Sequence, residues 1–131
     1  MVVLLIPSLE CPFRCAYCFE RKYRMQTDVE AMKRRLASLN LPKGAHICLH
    51  GGEATCADRY VFEELVREAS KYTRTVSLQT NGYWIDDELL DIITKYNMNG
   101  GVSIDGPPKL NVLRGERPLD RKYARRMTNR I

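Results

Sequence analysis

Four short apolar runs alternate with three amphipathic stretches along the first hundred residues, and this order narrows the fold more than any other feature. The runs are VVLLI (2–6), HICLH (46–50), TVSLQT (75–80) and GGVSI (100–104). Each has the length and apolar character of a strand. The first is apolar at successive positions, so both of its faces are expected to be buried, as in a parallel sheet. Between the runs, apolar residues recur at helical spacing. They are Val29, Met32, Leu36 and Leu39 in 28–40, Phe62, Leu65, Val66 and Ala69 in 58–72, and Leu89, Ile92, Ile93 and Tyr96 in 86–96. Thr27 with Glu30 fits a capping box for the first helix, and Asp58 and Asp86 stand where the other two begin. Asn97, Asn99 and Gly100 close the third. Strand and helix in strict alternation are the mark of parallel βαβ units with right-handed crossovers. The expected fold is therefore α/β, a parallel sheet of about four βα units.

The unusual residues gather on one edge of that sheet. Cys11, Cys15 and Cys18 follow the first run, HGGEAT (50–55) closes the second, QTNG (79–82) the third, and SIDGPP (103–108) the fourth. The C-terminal edge of parallel strands is where open and barrel-type α/β folds build their sites.

Composition bears on compartment and partners. The chain has 131 residues, 44% hydrophobic and 28% charged, enough for one domain with a modest core. No apolar run approaches the roughly 20 residues of a membrane span. VVLLIP lacks the basic start and cleavage site of a secretory leader, so the expected location is the cytoplasm, where thiols stay reduced and clustered cysteines point to a metal or redox site. The net charge of +5 is uneven: Lys109 to Ile131 carry eight Lys/Arg against two Asp/Glu, which leaves about −1 for residues 1–108. The Pro- and Gly-containing stretch 105–118 reads as a loop or linker. Residues 109–131 read as a basic, partly helical tail with a thin apolar stripe of Leu119, Tyr123 and Met127. A solvated helix accounts for that charge, and nothing aromatic or Gly-rich in the tail points to nucleic acid.

Three of the 5 cysteines sit within eight residues, Cys11-x3-Cys15-x2-Cys18. Thiolates suit zinc and iron–sulfur clusters. Four would close a zinc site or complete the ligand set of a 4Fe–4S cluster. Three can hold three irons of a cubane and leave the fourth open to a small molecule. A structural zinc site completed by Cys48, Cys56 or His50 is the competing chemistry, although the spacing is not that of common zinc motifs.

The cysteine spacing, with Tyr17 before the third cysteine, resembles the signature of radical S-adenosylmethionine (radical SAM) enzymes. Gly51-Gly52-Glu53-Ala54 is similar to that family's Gly-Gly-Glu-Pro motif. QTNG and SIDGPP resemble the third- and fourth-strand motifs of its peptide-modifying branch, which includes the anaerobic sulfatase-maturating enzymes. The resemblance covers about residues 1–108, so the chain reads as a truncated radical SAM domain (1–108) with a basic tail (109–131). It implies a partial TIM barrel, a 4Fe–4S cluster on Cys11, Cys15 and Cys18, and SAM chelated by the open iron. The reduced cluster would cleave SAM to a 5′-deoxyadenosyl radical that abstracts hydrogen from a peptide or protein substrate. An external electron donor such as ferredoxin or flavodoxin is implied as well.

Each rim residue has a role under that resemblance and a plainer one beside it. Gly51 and Gly52 let backbone approach a ligand, or simply turn the chain. Glu53, with nearby carbonyls, can accept bonds from SAM's ammonium. Tyr17 can pack on adenine or in a core. Ser103 and Asp105 can meet ribose or amine, and Gln79, Thr80 and Asn81 put polar groups on the same rim. Asn81-Gly82 and Asp105-Gly106 are also ordinary turn signals. His50 fits a proton carrier, a substrate contact or a half-buried histidine with a partner. His46 reads as structural, Cys48 as a small core residue, and Cys56 as a residue that can approach the cluster or a substrate.

Two departures from the family stand out. Ala54 replaces the proline, which loosens a stiff loop. Four strands stand where the family has six, leaving an open edge that a partner chain, a second copy or missing sequence is expected to cover. A fragment, a truncated product and one part of a split enzyme are all consistent with that count. So is a non-catalytic module that binds the cluster or SAM.

Overall fold

A computed structural model describes residues 1–23, 25, 27–107, 110, 113 and 114. The helix expected over 119–131 lies outside the described residues, and so does most of the basic tail. The chain runs β1 (Val2–Ser8), α1 (Val29–Ser38), β2 (His46–Gly51), α2 (Arg59–Ala69), β3 (Thr75–Thr80), α3 (Asp87–Lys95) and β4 (Asn99–Val102), with single 3-10 turns at Glu20–Lys22 and Ala54–Cys56. The four strands form one sheet in the order β1-β2-β3-β4, and every pairing is parallel. The α/β class is as expected.

Strand register explains where the core lies. Leu5 pairs with Leu49, Ile47 with Val76, and Leu49 with Leu78. These side chains share one face of the sheet. Leu36 of α1, Phe62, Val66 and Ala69 of α2, and Leu89 and Ile92 of α3 bury against them. Each large side chain withdrawn from water contributes about 1.5–3 kcal/mol. The other face alternates with the first and carries Leu4, His46, Cys48, Ser77 and Gln79. Here the expectation for β1 fails: Val2 is 62% and Leu4 56% exposed. The three helices pack on one face, and no described element covers these residues on the other. A continuous apolar run thus belongs to a strand only half covered.

Helix starts follow their side-chain caps. Asp58 accepts from Tyr60 N–H and Asp86 from Leu89 N–H, as expected. The cap of α1 is Asp28, which accepts from Ala31 N–H. Thr27 instead donates its hydroxyl to the Ile6 carbonyl, 2.5 Å away, and ties the entry of α1 to β1. Aspartate is the stronger cap here because its carboxylate is free of that tertiary bond. Asn97 ends α3 with φ +48°, a left-handed geometry that asparagine tolerates. β4 begins at Asn99 and stops at Val102, two residues before the end of the expected run.

Candidate functional site

The end of β2 is built around the chain that leads into the cysteines. Ser8 pairs with Gly51, and Glu53 N–H donates to the Glu10 carbonyl at 2.8 Å. Gly51 has φ +130°, and a Cβ there would stand 2.6 Å from the Ser8 carbonyl oxygen; one on Gly52 would stand 2.3 Å from that of Leu9. Both glycines therefore make room for the protein's own backbone on its way to Cys11.

Glu53 is 2% exposed. Its Oε1 accepts from Thr55 N–H (3.1 Å), Thr55 Oγ1 (2.8 Å) and Thr80 Oγ1 (2.7 Å). Its Oε2 accepts from Asn81 N–H (2.6 Å). The carboxylate expected to meet an ammonium is thus occupied by four donors of the chain itself and joins the ends of β2 and β3. Thr55 escaped the sequence reading, because a hydroxyl two residues from a carboxylate carries no signal until the 3-10 turn folds it back.

Asn81 carries this corner to the cysteines. Its Nδ2 donates to Cys11 Sγ at 3.5 Å, and its Oδ1 accepts from Tyr83 N–H at 2.8 Å. Phe13 N–H also donates to Cys11 Sγ, at 3.4 Å. Cys18 N–H donates to the Cys15 carbonyl at 3.0 Å, which closes a tight turn between those two cysteines. Cys15 is buried, Cys11 and Cys18 are half-buried, and all are free thiols. Burial pushes the Cys11 thiol up, and the Glu53 and Cys15 charges add to it against the Phe13 and Asn81 hydrogen bonds. Burial likewise raises Cys15 over the opposing effect of the Arg114 guanidinium. Cys56 is pushed up to about 11 by burial, then by Glu53 and Cys11. Cys56 therefore lies within electrostatic reach of the first cysteine.

Among the described residues, no three His, Cys, Asp or Glu side chains converge on one metal position. A zinc ion needs its thiolates around a single centre, each at about 2.3 Å. In an iron–sulfur cluster each thiolate takes its own iron. Three cysteines of one loop offer donors of the chemical type that such a cluster takes.

The β4 end closes over the cysteine loop from the other side. Tyr17 is 56% exposed and donates its hydroxyl to Asp105 Oδ2 at 2.7 Å. Arg114 Nη1 reaches Asp105 Oδ1 at 2.7 Å, and Ala16 N–H donates to the Leu113 carbonyl at 2.9 Å. Gln79 Nε2 donates to Ser103 Oγ at 2.8 Å. Gly101 leaves space for that amide, since a Cβ there would lie 2.4 Å from Gln79 Oε1. Neither Leu113 nor Arg114 was legible in a stretch composed like a linker.

The open face of β2 presents two histidines. His46 Nε2 lies 2.6 Å from Ser77 Oγ. His50 Nδ1 accepts from Gly51 N–H at 2.7 Å, so a neutral His50 carries its proton on Nε2. Ala54, where the resembled motif has proline, is fully buried in the main core.

Residues 5–128 match the family model of the Radical SAM superfamily. The chain belongs to the radical SAM superfamily. An uncharacterized protein of Methanothermobacter thermautotrophicus is 31% identical over 130 residues, covering 91% of this chain and 48% of that protein. The cysteine-type anaerobic sulfatase-maturating enzyme of Clostridium perfringens is 30% identical over 123 residues, 81% of this chain and 33% of that enzyme. The solved structure of native anSMEcpe with bound AdoMet and Cp18Cys peptide matches with a TM-score of 0.74 at 30% identity, over 98% of this chain and 38% of that one. Streptococcus suis SuiB bound to precursor peptide SuiA shares the fold, with a TM-score of 0.66 at 21% identity, over 86% of this chain and 26% of that one. This radical SAM chain therefore spans less than half the length of these curated relatives. Its four-stranded sheet is part of their partial barrel, and the cysteine loop stands at the C-terminal edge of that sheet.

Proposed function

We propose that the chain is the cluster- and SAM-binding part of a radical SAM enzyme that acts on a peptide or protein. Cys11, Cys15 and Cys18 are the proposed ligands of a 4Fe–4S cluster. Gly51, Gly52, Glu53, Gln79, Thr80, Asn81, Ser103, Asp105, Tyr17 and His50 form the proposed SAM-facing rim. Held by Cys11, Cys15 and Cys18, such a cluster would supply the electron for reductive cleavage of SAM, and the radical so made would take a hydrogen atom from the substrate.

The observation that carries this proposal is the bond from Asn81, at the end of β3, to the Cys11 sulfur, on a corner that Glu53 locks. The chain's own residues hold and orient. Glu53 fixes the Gly51–Gly52 corner, whose backbone carbonyls are assigned to the ammonium of SAM, because the carboxylate already has its four donors. His50 offers an Nε2–H beside the same corner. The Gln79–Ser103 pair offers polar atoms toward the sugar.

A peptide substrate is supported by the relative whose structure holds the Cp18Cys peptide. An external donor such as ferredoxin or flavodoxin would supply electrons. A further chain or a second copy along the β4 edge would complete the wall.

Reconstitution with iron and sulfide under argon tests the proposal. About four irons per chain are expected, and dithionite with SAM should then release 5′-deoxyadenosine. Zinc at one per chain would overturn it. SAM bound without turnover would favour the non-catalytic module instead.

A further inference from the structure

Arg114, outside the proposed SAM-facing rim, stands beside the cysteine loop. Ala16, the residue between Cys15 and Tyr17, is held by the Leu113 carbonyl, and Tyr17 shares Asp105 with Arg114. The fold-back brings the guanidinium into a largely buried position, with its side chain 14% exposed. One arm is used on Asp105. Its Nε–H is buried and has no hydrogen-bond partner among the described residues. A buried donor without an acceptor is rare and asks for one. The loop beside it carries the proposed iron ligands, and sulfur is the acceptor that a loaded loop would offer.

The placement is geometric: Ala16 N–H on the Leu113 carbonyl, and Asp105 shared by Tyr17 and Arg114, hold the guanidinium beside the loop that carries Cys15 and Cys18. A cluster on three thiolates gains another negative charge when reduced. Its potential depends on net charge and on hydrogen bonds to sulfur.

We propose that Arg114 is a positioning residue that offers positive charge and its Nε–H to the sulfur side of the cysteine loop, and so raises the reduction potential of the cluster held there. This rests on the proposed function above. The full chain and two variants, Arg114→Gln and Arg114→Lys, are reconstituted with iron and sulfide under argon and titrated with dithionite while the reduced cluster is followed by electron paramagnetic resonance. At fixed potential the reduced-to-oxidised ratio should fall at least tenfold in R114Q, about 59 mV for one electron. R114K, which keeps the charge, should recover at least half of that shift.

An R114Q cluster with the wild-type potential overturns the inference alone. A wild-type chain that holds no cluster overturns the proposed function, and this inference with it. Should R114Q fail to take up iron, R114K decides. Full iron with less than a tenfold change in ratio supports the charge. Iron lost equally from both variants makes Arg114 a mere clasp and overturns the proposal.

Discussion

Glu53 and Asp105 both follow the C-terminal ends of strands, and the fold uses them differently. Glu53 is sealed at 2% exposure and accepts four hydrogen bonds from Thr55, Thr80 and Asn81. Asp105 is exposed, and Tyr17 and Arg114 are among its hydrogen-bond donors. Two neighbouring strand ends are thereby locked to each other, while the β4 end is fastened to the cysteine loop by a clasp open to water. A buried carboxylate held by four donors fixes geometry, because any displacement leaves several donors unpaired. A pair whose carboxylate is open to water contributes little to stability. What it contributes is proximity, here of a guanidinium to Cys15.

Breaking the lock should have the largest effect. Glu53→Ala leaves the Thr55, Thr80 and Asn81 donors unmatched, and at about 1–3 kcal/mol for each buried group the loss should reach at least 3 kcal/mol. Urea denaturation of the cluster-free chain reads this directly. E53Q should lose less, because it keeps one acceptor while turning an NH2 toward part of the set. A loss below about 1 kcal/mol in E53A would show that the corner holds without its carboxylate.

Gly52→Ala sharpens the same contrast at the backbone. Its Cβ would meet the Leu9 and Glu10 carbonyl oxygens at 2.3 and 2.9 Å, so the chain before Cys11 must move. The expected loss is about 1–3 kcal/mol, with iron uptake reduced by displacement of Cys11. Full iron in G52A would contradict the role given to this glycine.

Asp105→Asn should have the smallest effect, below about 1 kcal/mol, and a distinctive pH dependence. The Tyr17 hydroxyl, and after it Arg114, hold the Asp105 carboxyl below its usual range. A depressed folded value stabilises above the unfolded carboxylate pKa of about 3.9, and that contribution is lost as pH falls through the lower folded value. The stability difference between wild type and D105N should therefore be flat at neutral pH and vanish in acid. A difference that instead grew in acid would show the clasp to be something other than this ion pair.

How much of this was readable in the chain depended on whether the cause was local. The strand Thr75–Thr80 stands as its apolar run marked it, and Asp58 and Asp86 cap as their positions implied, because period and capping are local properties. The convergence of four motifs on one edge followed from parallel topology. What the pattern could not show was which chain passes against which. Gly51 and Gly52 looked like room for a ligand, and the close approach of Ser8 and Leu9 that they also allow carried no signal in the sequence. Glu53 looked like a free acceptor and is filled by Thr55, Thr80 and Asn81. Thr27 looked like a cap and holds β1. Arg114 lay in a stretch composed like a linker, and only the fold-back onto Ala16 gives it a place at the site.

The central claim is that three thiolates of one loop, and not a wider set, hold an iron–sulfur cluster. Comparing Cys15→Ala with Cys56→Ala after anaerobic reconstitution tests it most directly. C56A should keep the brown colour and about four irons per chain, while C15A should lose the colour and most of its iron. A C15A chain that stays brown and iron-loaded would contradict the account.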